Sequence, residues 1–237
     1  MISPINNEIS NLNWSEIHQT LDNDGFAKLP VLLSEEQCKE LIATYDIESN
    51  FRSRINMARY RFGEGEYKYY NAPLPALIQE LRVSFYPELA KAANRWLEYL
   101  KKSAIYPDTL DEFLEQCHAK EQVRPTPLIL KYEQGGYNCL HQDLYGDVYF
   151  PFQVLFALNQ REQDYSGGES ILVEQRPRAQ SRGHVITLNQ GEALIFPTNH
   201  RPVAGKKGYY KNTIRHGVNT LTSGVRYGLG IIFHDAK

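Results

Sequence analysis

Apolar residues recur with a helical period along the first half of the chain and with a strand period along the second. Residues 14–21 read as a short helix closed by the turn-forming Asp22-Asn23-Asp24-Gly25, and residues 26–31 as a strand. Ser34 with Gln37 three residues later is a capping-box pattern; it opens a helix through about Tyr45 that buries Cys38, Leu41 and Ile42. Leu77, Ile78, Leu81 and Phe85 make one helical stripe. Pro87 is expected to end that helix and to start another, with Leu89, Ala93, Trp96, Leu97 and Leu100 on its buried face. Asp108 is read as the N-cap of a further helix through about Lys120. Between these helices, residues 52–62 are polar, basic and partly alternating. A Gly63-Glu64-Gly65-Glu66 turn and the cluster Tyr67, Tyr69, Tyr70 follow.

After Pro125 the pattern changes. Residues 128–132, 137–141, 148–158, 169–173, 184–188, 193–196, 214–218 and 226–233 read as short strands separated by polar or glycine-rich turns. Residues 148–158 are apolar on both faces, as expected of a central strand covered by helices. Short strands without long intervening helices indicate an antiparallel sandwich or barrel. The expected class is α+β, with helices on one outer face of the β core. The expected organisation is a single domain over residues 1–237, mainly helical in 1–124 and β-rich in 125–237.

Composition narrows the picture a little. The chain has 237 residues, 42% hydrophobic and 23% charged, with a formal net charge of −2, which argues against a globally basic nucleic-acid binder. Three widely spaced cysteines, Cys38, Cys117 and Cys139, imply no disulfide framework and fit a reducing compartment. The first residues have neither the basic nor the apolar region of a secretory signal, and no apolar run has membrane-spanning length. The expected location is the cytoplasm, without membrane contact.

The stretch Leu140-His141-Gln142-Asp143 carries the candidate chemistry. In extended backbone His141 and Asp143, two apart, present an imidazole and a carboxylate to one face. That is two-thirds of a two-histidine, one-carboxylate metal site. The third ligand must come from a distant strand, and His200 and His216 compete for it. His216 is favoured because Arg226 follows ten residues on. A turn at Ser223-Gly224 would make the two strands a hairpin and bring Arg226 beside His216. An arginine there would be a two-pronged partner for the far carboxylate of a keto diacid. His200 has Lys211 at comparable spacing.

His141, Asp143, His216 and Arg226 resemble the H-x-D…H…R constellation of iron(II)- and 2-oxoglutarate-dependent dioxygenases. The segment His216-Gly217-Val218, then Arg226-Tyr227 and Phe233, is similar to the end of the prolyl-hydroxylase type. The runs Leu140–Gly146, Glu174–Arg178 and Leu229–Ala236 resemble a prokaryotic group of predicted 2-oxoglutarate oxygenases acting on damaged nucleic acid. The resemblance implies a double-stranded β-helix core of the jelly-roll or cupin type. It implies Fe(II) held by His141, Asp143 and His216, with 2-oxoglutarate and O2 as co-substrates. It also implies oxidation of a C–H bond, by hydroxylation or oxidative demethylation, with release of succinate and CO2.

Further roles are expectations of the same kind. Tyr132 matches the position of a tyrosine that reaches 2-oxoglutarate in the alkylated-DNA demethylases, although Leu130 and Ile232 depart from that pattern. Cys139 is read chiefly as a plain buried cysteine, and Tyr145 as pocket lining. Gln153, interrupting an apolar strand, needs a partner, and a backbone group is the first choice. Clusters at Arg52, Arg54, Arg59 and Arg61, at Arg176, Arg178 and Arg182, and at Lys206, Lys207, Lys211 and Arg215 offer charge for an anionic substrate. With the tyrosines they resemble the cation-and-ring mix used on unpaired bases. Modified nucleic acid and a peptide or amino acid are both open as substrates, and a non-catalytic cupin-like binding module stands beside them.

Overall fold

The alternation along residues 152–157 organises the molecule. Phe152, Val154 and Phe156 join the main core beneath the helices, whereas Gln153, Leu155 and Ala157 face the opposite way. The computed structural model describes residues 4–144 and 146–237. Its helices are α1 (Pro4–Ser10), α2 (Trp14–Asp24), α3 (Glu35–Ala43), α4 (Ala76–Tyr99) and α5 (Leu110–His118). The strands of the first half are β1 (Ala27–Val31), β2 (Phe51–Asn56), β3 (Gly63–Glu64) and β4 (Glu66–Tyr70). Those of the second half are β5 (Leu128–Glu133), β6 (Tyr137–His141), β7 (Phe152–Ala157), β8 (Tyr165–Gly167), β9 (Ser170–Gln175), β10 (Arg182–Ile186), β11 (Glu192–Pro197), β12 (His200–Gly205), β13 (Gly208–Val218) and β14 (Leu221–Ile232).

Two antiparallel sheets result among the described residues. The larger runs β1-β11-β7-β14-β5-β4-β2, with β8 also paired to β14, and the smaller runs β10-β9-β13-β6-β3, with β12 paired to β13. The class is α+β, with a double-stranded β-helix core and the N-terminal helices on the outer face of the larger sheet. Long helix α4 lies against that face, Phe85 meeting Phe156 edge-on and Trp96 meeting Phe152 at a centroid distance of 4.4 Å. Burying each such ring stabilises the fold by roughly 1.5–3 kcal/mol.

Four local expectations are corrected. Pro87 lies inside α4 rather than dividing two helices. The carbonyl left without its N–H partner belongs to Val83, which is exposed and so open to water. Thr109, not Asp108, caps α5, in a capping box with Glu112. The basic stretch and the tyrosine cluster of the first half form β2 and β4, which extend the larger sheet from β5, while β1 closes its other edge.

The fourth correction concerns β13 and β14, which do not form a hairpin. The first pairs with β6, β9 and β12 in the smaller sheet, the second with β5, β7 and β8 in the larger. The link at residues 219–220 therefore crosses from one sheet to the other. The hairpin of this region is instead β12–β13, turning at Gly205 and Gly208. Between the sheets lie two small apolar clusters, one around Leu172, Leu194 and Phe196 and one around Met57, Tyr132 and Leu221. Among the described residues no helix is long and apolar enough to cross a membrane.

Candidate active site

His141 ends β6, and β13 sets His216 directly opposite it. The glycine after His216 makes that approach possible, because a Cβ at Gly217 would sit 2.6 Å from the backbone oxygen of Asn138. Asp143 lies just past β6 in irregular backbone, its N–H donating to the carbonyl of Thr198 at 3.3 Å. The intervening Gln142 donates its amide to the carbonyls of Asn199 (2.8 Å) and Ile214 (3.1 Å), pinning the turn against the smaller sheet.

Each of His141, Asp143 and His216 offers one ligand atom, and these atoms lie within 4.8 Å of one another. His216 Nε2 is 3.0 Å from one carboxylate oxygen of Asp143, and His141 Nε2 is 3.5 Å from the other. His141 Nδ1 lies 2.8 Å from the Cys139 carbonyl, which can only accept; Nδ1 therefore carries the proton and Nε2 presents its lone pair to the cluster. Gln153 finds its partner here rather than on the backbone: its amide donates to Asp143 Oδ2 at 2.9 Å. Two imidazole nitrogens and one oriented carboxylate on one side of a cavity form a donor set that fits ferrous iron with further positions open.

The surrounding cavity, of about 360 Å³, lies between the sheets. Arg226 reaches it from β14, opposite the histidines of the smaller sheet. Its side chain is 2% exposed, and its Nε and one terminal nitrogen have no hydrogen-bond partner. Buried donors of this kind are rare unless a ligand completes them. Gly168 leaves the room: a Cβ there would meet Arg226 Cδ at 3.1 Å and Leu221 Cδ1 at 2.6 Å. Tyr132 packs beside the guanidinium, 5.7 Å from ring centre to Cζ, and its buried hydroxyl also lacks a partner.

A family model described as an oxygenase catalysing oxidative methylation of damaged DNA matches residues 65–236. The chain belongs to that family. Two uncharacterized proteins of Mycobacterium tuberculosis, from strains CDC 1551 / Oshkosh and H37Rv, are each 49% identical to this oxygenase over 164 residues, 69% of its chain and 70% of theirs. Among solved structures, a prolyl-4-hydroxylase of Pseudomonas putida is similar at a TM-score of 0.55 and 14% identity, covering 94% of this chain and 100% of that one. An oxidoreductase of the 2OG-Fe(II) oxygenase family from Burkholderia pseudomallei is similar at 0.54 and 12%, covering 95% and 93%. A prolyl hydroxylase of Trichoplax adhaerens, solved with a peptide fragment of the hypoxia inducible factor oxygen degradation domain, is similar at 0.55 and 15%, covering 97% and 91%. These structures share the fold. The oxygenase is an enzyme of the 2-oxoglutarate- and iron(II)-dependent class.

Electrostatics at the cluster favour metal-ready protonation states. Burial alone would raise the Asp143 carboxyl, but the neighbouring His216 and His141 and the Gln153 amide outweigh it and hold the group well below the usual carboxylate range. Burial and the proximity of His216 lower His141, which keeps its ring neutral. Burial also pushes the Tyr132 hydroxyl up, to about 12, so that it remains a donor.

The other sequence candidates separate clearly. His200 begins β12, across from Thr213, and stands outside the cluster of three; burial and nearby Lys211 lower its pKa. Cys139 is exposed and lines the cavity, a correction to the buried reading, because β6 is an open strand over much of its length. Tyr67 and Tyr69 line the cavity, while Tyr70 is buried in the main core and bonded to Thr44. Tyr145 lies outside the described residues. Arg176 and Arg178 line a separate polar cavity with Thr213. Arg52 and Arg54 are occupied, the first by the Pro125 carbonyl and the second by Glu66. Residues missed by sequence reasoning are Arg61 and Phe62 at the cavity; an exposed aromatic flanked by arginines was the available signal.

Proposed function

We propose that this oxygenase oxidatively removes a methyl group from a damaged DNA base, coupling the reaction to conversion of 2-oxoglutarate and O2 into succinate and CO2. One oxygen atom of O2 ends in succinate and the other on the methyl carbon, which leaves as formaldehyde. The nucleic-acid part rests on the description of the matching family, since an oxygenase acting on a methylated base removes the methyl group rather than adding one. The co-substrate part is carried by one observation: the buried Arg226 guanidinium, with two unpartnered nitrogens, opposite the His141–Asp143–His216 cluster.

In this reading His141, Asp143 and His216 hold ferrous iron, which when bound supplies activation of O2 coupled to decarboxylation of the keto acid. Arg226 binds the far carboxylate of 2-oxoglutarate as a charge-assisted, two-pronged contact, and Tyr132 borders the same carboxylate. Gln153 holds Asp143 in the orientation that ligation needs. The apolar walls around Leu172, Leu194 and Phe196 keep bulk water from the reacting centre.

The test is a visible-absorption titration followed by a turnover screen. Anaerobic Fe(II) plus 2-oxoglutarate should give a weak charge-transfer band. Succinate and formaldehyde should then appear together with methylated oligodeoxynucleotides, and not with proline-containing peptides or free amino acids. Succinate release with a peptide and none with DNA would replace the substrate. No band and no turnover would leave a binding module.

A further inference from the structure

Tyr60 and Phe62 are stacked on each other, with ring centroids 5.5 Å apart and planes inclined by 21°, yet they are 56% and 46% exposed. Two large rings held in contact on the surface serve no core, and they sit at a decisive place. Phe62 and its neighbour Arg61 line the cavity that contains the His141–Asp143–His216 cluster. The Phe62 carbonyl accepts the N–H of Cys139 at 2.7 Å, two residues before His141 on the same strand.

The turn that presents the rings is rigid. Met57 at its root is fully buried, and the Met57 N–H donates to the Gly65 carbonyl at 2.9 Å. Asn56 caps it through the N–H of Arg59, and the Phe62 N–H closes back on the Met57 carbonyl at 3.0 Å. Arg61 is held in the left-handed region at φ 59, a conformation uncommon for a side-chain-bearing residue. Gly63 then lies so close to β6 that a Cβ would sit 2.3 Å from the Tyr137 oxygen. Arg59 and Arg61, on either side of Tyr60, are exposed and make no ion pair among the described residues, unlike Arg54 with Glu66.

We propose that residues 59–62 form a strand-binding platform for single-stranded DNA, on which the base beside the target stacks against Tyr60 and Phe62 while Arg59 and Arg61 take the flanking phosphates. The proposal rests on the DNA reading given above and adds the contact that delivers the strand to the cavity. Base faces are available for stacking only when unpaired, and arginine complements phosphate, so rings and charges together select an unpaired DNA strand over a duplex. The turn lies just before residue 65, where the family match begins, so the platform is a feature of this chain's own N-terminal half.

Fluorescence anisotropy on the full chain, with a fluorescein-labelled mixed-sequence DNA 12-mer, tests it. The single strand should bind more tightly than its duplex. Tyr60→Ala/Phe62→Ala should weaken single-strand binding at least about fivefold. Arg59→Gln/Arg61→Gln should make the dependence of log affinity on log salt shallower by roughly one. All four side chains are exposed, and unchanged thermal unfolding verifies that the variants fold. Equal single-strand affinity in the parent protein and both variants overturns the platform while leaving the DNA reading intact. A parent protein that neither binds the strand nor releases succinate with a methylated oligonucleotide overturns the DNA reading, and the platform with it. Tighter binding of duplex than of single strand overturns the stacking role.

Discussion

The amide of Gln153, on the central strand of the larger sheet, donates to Asp143 Oδ2 at 2.9 Å and so couples that sheet to the ligand cluster of the smaller one. Both side chains are buried, at 5% and 6% exposure, where no water can replace the bond. Gln153→Leu should therefore weaken Fe(II) binding by about 10- to 100-fold, the usual effect of losing a group that orients a metal ligand. Anaerobic titration with Fe(II), or with Co(II) as a spectroscopic substitute, measures it. Unchanged affinity would show that Asp143 holds its orientation without the amide.

Removal of a ligand should be more severe. His141→Ala, Asp143→Ala and His216→Ala should each abolish the charge-transfer band with 2-oxoglutarate, whereas His200→Ala should retain it, since His200 stands outside the cluster. A band surviving in His216→Ala and lost in His200→Ala would exchange the two assignments.

Arg226→Ala should chiefly raise the 2-oxoglutarate requirement. Loss of a desolvated charge partner costs about 2–5 kcal/mol, roughly a 30-fold or greater rise in KM. Steady-state turnover at varied 2-oxoglutarate checks this, and an unchanged KM would assign the carboxylate to another cation. Tyr132→Phe, which removes only a hydroxyl, should have the smaller effect.

Stability should fall on mild acidification because of His234. It is fully buried, with its Nδ1 accepting from the Phe150 N–H, and burial pushes its pKa down from 6.5 to about 4. The unfolded chain therefore binds the proton more readily than the folded one. Stability is fully present above pH ~6.5 and is lost as pH falls toward ~4, by at most about 3 kcal/mol. His234→Gln keeps an acceptor for Phe150 and should flatten urea-melt midpoints between pH 7 and 4.5. An equally steep decline in the variant would move the effect to other groups.

Arg82 should be the largest single contributor to the seating of α4. Its buried guanidinium donates to the carbonyls of Ile232 (2.9 Å) and Phe233 (2.8 Å) and pairs with Asp235 at 2.7 Å. Arg82→Met leaves Asp235 buried without its arginine and should cost about 3–5 kcal/mol, read from denaturant midpoints. His118, 3.1 Å from the other Asp235 oxygen, compensates only where it is protonated.

Much of this was legible in the chain because local patterns determined it. Residues 137–141 form the strand their alternation predicts, and the capping box at Ser34 opens α3. What the patterns left out was non-local. Nothing in periodicity says that residues 219–220 cross between sheets, so β13 and β14 read as neighbours although each pairs with other strands. Residues 51–56 and 66–70 look too polar for a sheet because Arg54, Glu66 and Lys68 neutralise one another and Glu48 from outside the pattern. Gln153 announced a need for a partner, but only the apposition of the two sheets identified Asp143 as that partner.

The crossing at residues 219–220 also acts as a ruler. It puts His216 and Arg226, ten positions apart in sequence, on opposite walls, so the gap between them is set by the stacking distance of two hydrogen-bonded sheets rather than by a movable loop. Packed sheets resist compression and extension. A keto diacid one carbon shorter or longer than 2-oxoglutarate would have to bend or strain to touch both walls, which makes the backbone architecture itself a gauge of co-substrate length.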